Sequence, residues 1–170
     1  MRIDLDKLEE LGGFSRIYEL GELSLDDSEL RLVKPPEIRG RVRRDGQEVK
    51  LSGDLAARIE TGCDRCLQPV ELEIDSEFAE RFVPAVSWRN EEQHELSEED
   101  LNLAVFDGQA IELDDVVREE ILLAMPGHVL CREDCRGLCP VCGIDRNHGS
   151  CQCESTEIDS RWEGLKELRM

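Results

Sequence analysis

The spacing of the cysteines constrains this chain more than any other feature of it. Cys131, Cys135, Cys139, Cys142, Cys151 and Cys153 fall within 23 residues, and Cys63 with Cys66 adds a C-x-x-C pair upstream. A C-x-x-C turn sets two thiolates on one side of a tight backbone loop, at a separation suited to a tetrahedral ion with metal–sulfur bonds of about 2.3 Å. Two Trp, one Tyr and four Phe in 170 residues leave the interior to Leu, Ile, Val and Ala. With so modest an apolar store, part of the chain is expected to fold around metal.

Cys139-Pro-Val-Cys142-Gly143 is the strongest knuckle signal, because Gly143 can take the positive φ such a turn often needs. Cys151 and Cys153 complete a first set of four across residues 143–150. Cys63 and Cys66 find their natural complement in Cys131 and Cys135, although three residues separate the latter two. Two zinc ions would use all eight thiols; one zinc, with the remaining thiols packed, is the structural alternative. His128 and His148 lie near enough in sequence to replace a thiolate, but with eight cysteines available a hydrogen-bonding or solvated role is simpler. His94 falls in an acidic stretch. Four thiolates leave no open coordination position, so the sets read as structural. Arg65, Arg132, Arg136 and Arg146 are available to offset their negative charge. Thiol redox chemistry is the rival, since C-x-x-C can also lower a thiol pKa, but neither pair opens a helix within a βαβ pattern.

Twenty-one basic against 40 acidic residues give a net charge of -19, which opposes unassisted binding to nucleic acid. Against that background Arg39, Arg41 and Arg43 project from one face of an expected strand, with Arg44 beyond and Lys50 on its partner. Solvation or edge-strand protection is one account of this stripe, a local phosphate contact the other. No aromatics interleave it, so base stacking is not expected. No Ser/His/Asp set, phosphate-binding glycine loop or isolated carboxylate pair stands out, and no enzymatic activity is expected. No apolar run approaches the roughly 20 residues of a membrane span, and the start Met1-Arg-Ile-Asp lacks the apolar region of a signal peptide. A cytoplasmic protein is expected, in which paired thiols favour metal over disulfides.

The chain reads as α+β: an antiparallel β-sheet, open or curled toward a barrel, one main packing helix, and a C-terminal cysteine-rich zinc module. Residues 1–126 form the sheet domain with its helix, and 127–170 the zinc module with an amphipathic tail. An edge strand at Met1 to Leu5 precedes a helical turn at Asp6 to Glu9, ended by Gly12-Gly13. Leu23, Leu25, Leu30 and Leu32 suggest extended structure around a turn at Asp26-Asp27, and Pro35-Pro36 should stop it. Ile38 to Val42 and Val49 to Leu51 flank Asp45-Gly46 as a hairpin, and two further strands flank the Cys63 turn. Phe78 and Phe82 fit helix or strand. Residues 89–100 read as an exposed acidic loop, a solvated segment or a dock for a basic partner. Ile111 to Met125 is the clearest helix, with Leu113, Val117, Ile121 and Ala124 on one face; Trp162, Leu165 and Leu168 mark the amphipathic tail.

Four segments together carry a family resemblance: Cys63-Asp-Arg-Cys66-Leu-Gln-Pro69, Ile121-Leu-Leu-Ala-Met-Pro126, Cys135-Arg-Gly-Leu-Cys-Pro-Val-Cys-Gly143 with Cys151-Gln-Cys153, and Asp159-Ser-Arg-Trp-Glu-Gly-Leu165. In this order the chain resembles the YceD-like family of bacterial and plastid proteins linked to accumulation of large-subunit ribosomal RNA. Ser160 stands where that family often has Pro, and Asp145-Arg-Asn147 where it often reads Asn-Leu-Asn. The resemblance implies a non-enzymatic ribosome-biogenesis factor whose partner is ribosomal RNA or a large-subunit ribosomal protein. The other classes to weigh are a thiol redox protein and an acidic chaperone of one basic ribosomal protein.

Overall fold

The computed structural model describes residues 2–5, 10–86, 103–107, 109–153 and 161. The expected turn at Asp6 to Glu9, the acidic loop 89–100 with His94, and the tail with Trp162, Leu165 and Leu168 lie outside the described residues. The chain divides into two compact units. One comprises Met1–Thr61 with Val70–Gly127, the other Gly62–Pro69 with His128–Met170.

In the first unit, β1 (Arg2–Asp4) pairs antiparallel with β7 (Ala110–Glu112), Ile3 opposite Ile111. The larger sheet has the order β2-β3-β4-β5-β6, formed by Leu11–Ile17, Arg31–Asp45, Glu48–Gly62, Pro69–Pro84 and Leu103–Phe106. In β4, alternation turns Val49, Leu51, Leu55, Ala57 and Ile59 inward and Lys50, Ser52 and Asp54 outward. The helix α1 (Leu113–Leu123) follows β7 directly, and its Leu113, Val116, Val117 and Ile121 join the sheet's inner face in one apolar core. Asp114 and Asp115 in its first turn favour the helix dipole. Tyr18, buried after β2, donates its hydroxyl to Asp114 at 2.8 Å, while Arg118 binds Asp115 and the carbonyl of Ser24, fixing the loop before β3. No helix among the described residues is long and apolar enough to cross a membrane.

Several expectations need correction. The sheet is mixed: β2 to β4 pair antiparallel and the six-residue link from β4 to β5 is too short for a parallel crossover, but β6 runs parallel to β5. Residues 85–102 between them exceed the dozen or so a parallel connection needs. The sheet is open, with β2 and β6 at its edges, and does not close into a barrel. Pro35-Pro36 does not stop the chain. Between Lys34 opposite Arg58 and Glu37 opposite Ala56, β3 inserts both prolines where β4 has only Ala57. This bulge accommodates residues that cannot donate to the ladder. Gly12-Gly13 lies inside β2, whose apolar Leu11 and Ile17 face outward and so conceal its alternation. Leu23, Leu25 and Leu30 occupy the loop before β3, Leu23 and Leu25 buried beside the helix partners just described. Phe78 and Phe82 belong to β5, and Phe82 meets Phe106 of β6 edge to face at 6.2 Å.

On the inner face of β5, between those two phenylalanines, stands Glu80. Burial, then the charges of Glu120 and Glu119, push its carboxyl up to about 7 from an ordinary value of 4.5. A carboxyl with a raised folded-state pKa binds its proton more tightly folded than unfolded, so its cost grows as pH rises from about 4.5 to about 7 and is full above that. Glu80→Gln is therefore expected to leave stability nearly unchanged at about pH 4 and to raise it by about 1–2 kcal/mol at about pH 8, read as melting temperature at the two pH values.

Candidate functional site

The second unit is built on two knuckle turns. In the first, Cys63 N donates to Gln68 O at 2.8 Å and Leu67 N returns to Cys63 O at 2.9 Å. Asp64 docks the segment beginning at His128: its backbone N donates to Val129 O at 2.8 Å and its Oδ2 accepts from Val129 N at 2.9 Å. Arg65 donates to the Cys135 carbonyl at 2.8 Å, and Leu138 N donates to the Arg65 carbonyl at 2.8 Å. These bonds gather Cys63, Cys66, Cys131 and Cys135, with Cys63 and Cys135 Sγ 3.8 Å apart and Cys66 and Cys131 Sγ 3.6 Å apart.

The second turn repeats the first. Gly143 N donates to Cys139 O at 2.9 Å, Cys139 N donates to Ile144 O at 2.8 Å, and Cys139, Cys142, Cys151 and Cys153 converge. In each cluster the four sulfur atoms lie within 4.8 Å of one another. A regular tetrahedron with metal–sulfur bonds of about 2.3 Å has edges of about 3.8 Å, whereas a disulfide needs about 2.0 Å. All eight cysteines are free thiols, and either cluster can hold a metal ion. Gly143 adopts φ 73°, and Leu67, at the same place after its second cysteine, adopts φ 60°. That conformation costs a side-chain-bearing residue about 1–2 kcal/mol, and Leu67 is 70% exposed.

The interior of this unit supports the same reading. Its described buried side chains are Cys63, Cys66, Val129, Cys135 and Cys139, so one valine is the only apolar group beside thiols. The electrostatics divide those thiols. Burial raises Cys63, but N–H groups of Cys131, Arg65 and Cys66 outweigh it and hold the thiol well below its usual range. N–H groups of Cys142 and Val141 lower Cys139, and the Asn147 amide lowers Cys135. Burial and the surrounding thiols push Cys131 up, and Cys142 followed by burial does so for Cys153. A cation taking all four ligands must displace the protons these thiols retain. Arg146 contributes a guanidinium beside Cys139 and Cys151. Neither histidine joins a cluster: His128 faces Asp64 at 3.5 Å and His148 faces Asp145 at 3.8 Å, both largely exposed.

The arginine stripe lies on β3 in the first unit. Its outer face carries Arg39, Arg41 and Arg43, opposite Asp54, Ser52 and Lys50 of β4. β3 is an interior strand, so these cations do not protect a sheet edge. Arg39 pairs with Asp54 at 3.1 Å, and Arg44 is used locally, donating to Gly46 O and Leu5 O. The side chains of Arg41 and Arg43 make no hydrogen bond or ion pair among the described residues and, with Lys50, form an exposed basic face. Sequence reasoning did not single out Asn147, whose amide reaches Cys135; an asparagine between cysteine pairs carries no spacing signal of its own.

Comparison with known proteins adds the family. The model of the family described as "Large ribosomal RNA subunit accumulation protein YceD" matches residues 51–169. An uncharacterized protein of Mycobacterium tuberculosis is 31% identical over 132 residues, covering 75% of this chain; the match spans 59% of that relative's length. The uncharacterized protein YlbN of Bacillus subtilis is 25% identical over 156 residues, covering 91% of this chain and 86% of its own. No solved structure matches.

Two outcomes follow from the thiol geometry. Stripped protein titrated anaerobically with Co²⁺ is expected to develop thiolate charge-transfer absorption, with affinity falling at least about tenfold for each unit of pH lost, because each bound cation releases one or more protons. Leu67→Gly, which relieves the positive φ, is expected to stabilise the loaded protein by about 1 kcal/mol in thermal melts.

Proposed function

This chain belongs to the family of large ribosomal RNA subunit accumulation proteins, and from that membership we propose that it is a cytoplasmic, non-enzymatic factor supporting synthesis, processing or stability of large-subunit ribosomal RNA. The family match over residues 51–169 is the observation that carries the reading. Both thiol clusters are structural zinc sites in this account. Sulfur-only, tetrahedral sets suit zinc, and four protein ligands leave no position at which water could be activated. Zinc there supplies a cross-link between distant segments of chain. Arg146 and the backbone N–H groups orient the sulfurs and offset their charge, and the Arg65 guanidinium holds the Cys135 carbonyl.

The contact with RNA falls to the outer face of β3. Arg41 and Arg43 are exposed and unpaired among the described residues, Lys50 stands opposite Arg43, and together they can neutralise phosphate locally in a chain whose overall charge of -19 repels it. Such a patch positions the protein on RNA without reading bases, since no aromatic side chain interleaves it.

Depletion of the protein is expected to lower large-subunit ribosomal RNA relative to the small-subunit species; unchanged levels would overturn the assignment. Crosslinking in cells is expected to recover large-subunit RNA, and Arg41→Glu with Arg43→Glu to reduce that recovery by about tenfold or more, the scale of losing two phosphate contacts. Recovery of one basic ribosomal protein, with no RNA and no effect of the two substitutions, would replace the RNA contact with a chaperone role. Metal analysis of anaerobically purified protein is expected to give two zinc ions per chain.

A further inference from the structure

Asn147 belongs by sequence to one cluster and by hydrogen bonding to the other. It sits between Cys142 and Cys151, yet its Nδ2 donates to Cys135 Sγ at 3.4 Å and to Asp145 Oδ1 at 2.8 Å. Its Oδ1 accepts from Arg132 Nη2 at 2.8 Å and from Arg136 N at 2.9 Å, on either side of Cys135. The amide has one sensible orientation, because reversal would set NH₂ against a guanidinium and oxygen against sulfur and carboxylate.

The loop that presents this amide is shaped by the turn that gathers Cys139 and Cys142. Ile144 O accepts from Cys139 N at 2.8 Å, and Arg146 N donates to Gly137 O at 3.0 Å. Asp145 then folds the loop back, its Oδ1 accepting from Asn147 N at 2.8 Å and its carbonyl from Gly149 N at 2.9 Å. Both ends of residues 143–150 are anchored by the thiols of this set.

We propose that the two clusters load their cations as a coupled pair, with Asn147 as the positioning residue that links occupancy of the Cys139, Cys142, Cys151 and Cys153 set to Cys135 in the other. The proposal rests on the metal reading above. A cation on the first set pins both ends of the loop, so less conformational entropy is lost when Asn147 is held against Cys135. The N–H···S bond then orients that sulfur and offsets its charge, as hydrogen bonds to metal ligands do. By linkage, a cation on the Cys63, Cys66, Cys131 and Cys135 set favours the first set to the same degree.

The test is an anaerobic titration of the stripped full-length chain with Zn²⁺, read by native mass spectrometry as the populations holding none, one and two ions. The expected result for the unsubstituted chain is a minor singly loaded species. Asn147→Ala is expected to make that species accumulate, with the second ion bound about tenfold more weakly. Asn147→Asp keeps the acceptor oxygen for Arg132 and Arg136 but lacks the donor to Cys135, and is expected to weaken the second ion at least as much. In a Cys142→Ser, Cys151→Ser background, where the loop is no longer pinned, Asn147→Ala is expected to cost the remaining site less than about twofold. Equal populations for Asn147→Ala and the unsubstituted chain, normal loading by Asn147→Asp, or the same penalty in both backgrounds would each overturn the coupling while leaving the metal sites standing. Failure of the unsubstituted chain to take up any Zn²⁺ would overturn the metal reading itself.

Discussion

Two sets of four sulfur atoms, each gathered within 4.8 Å, are the constraint on which the second unit depends. Burying Val129 contributes about 1.5–3 kcal/mol, whereas ordering the backbone costs about 1–2 kcal/mol for every residue. One valine cannot hold the described segments 62–69 and 128–153 in place. The hydrogen bonds from Asp64, Arg65 and Leu138 align the two segments, but each is worth little net of what water would have offered. The feature that remains is the convergence of the eight thiols, each set of which can hold a metal ion.

The first unit solves its problem differently. Long strands with inward Val, Leu and Ile, covered by one helix, build one continuous apolar core. Its close packing shows at Gly40 opposite Gly53, where an added Cβ would lie 2.3 Å and 2.1 Å from backbone carbonyl oxygens of the neighbouring strand. The outer face of the same strands is left for charge, which is how Arg41 and Arg43 stay exposed beside a well-packed interior.

What was legible in the sequence had short-range causes. The hairpin around Asp45-Gly46, the helix beginning near Asp114 and the set of Cys139, Cys142, Cys151 and Cys153 each follow from local spacing, turn chemistry or periodicity, while Cys63 and Cys66 were matched to Cys131 and Cys135 as the pairs left over. What was hidden depended on partners far along the chain. β2 shows Leu11 and Ile17 on the solvent side, β6 is four residues long and acquires its direction only by pairing with β5, and the prolines of β3 look like terminators until β4 is seen opposite them. The arginines of β3 were visible as a stripe, but only the strand order removes edge protection as their explanation. Asn147 was named only as part of the Asp145 to Asn147 segment, and its role was hidden because it is a contact with Cys135, twelve positions earlier.

The first cluster is also discontinuous along the chain: Cys63 and Cys66 lie between β4 and β5, while Cys135 comes 72 positions after Cys63. During translation the two upstream thiols therefore emerge well before their partners. At about 5–20 residues per second, this interval lasts roughly 4–14 seconds. Through that time Cys63 and Cys66 stand without the other half of their four-sulfur set. A chain that stops before Cys131 therefore holds only half of that four-sulfur set.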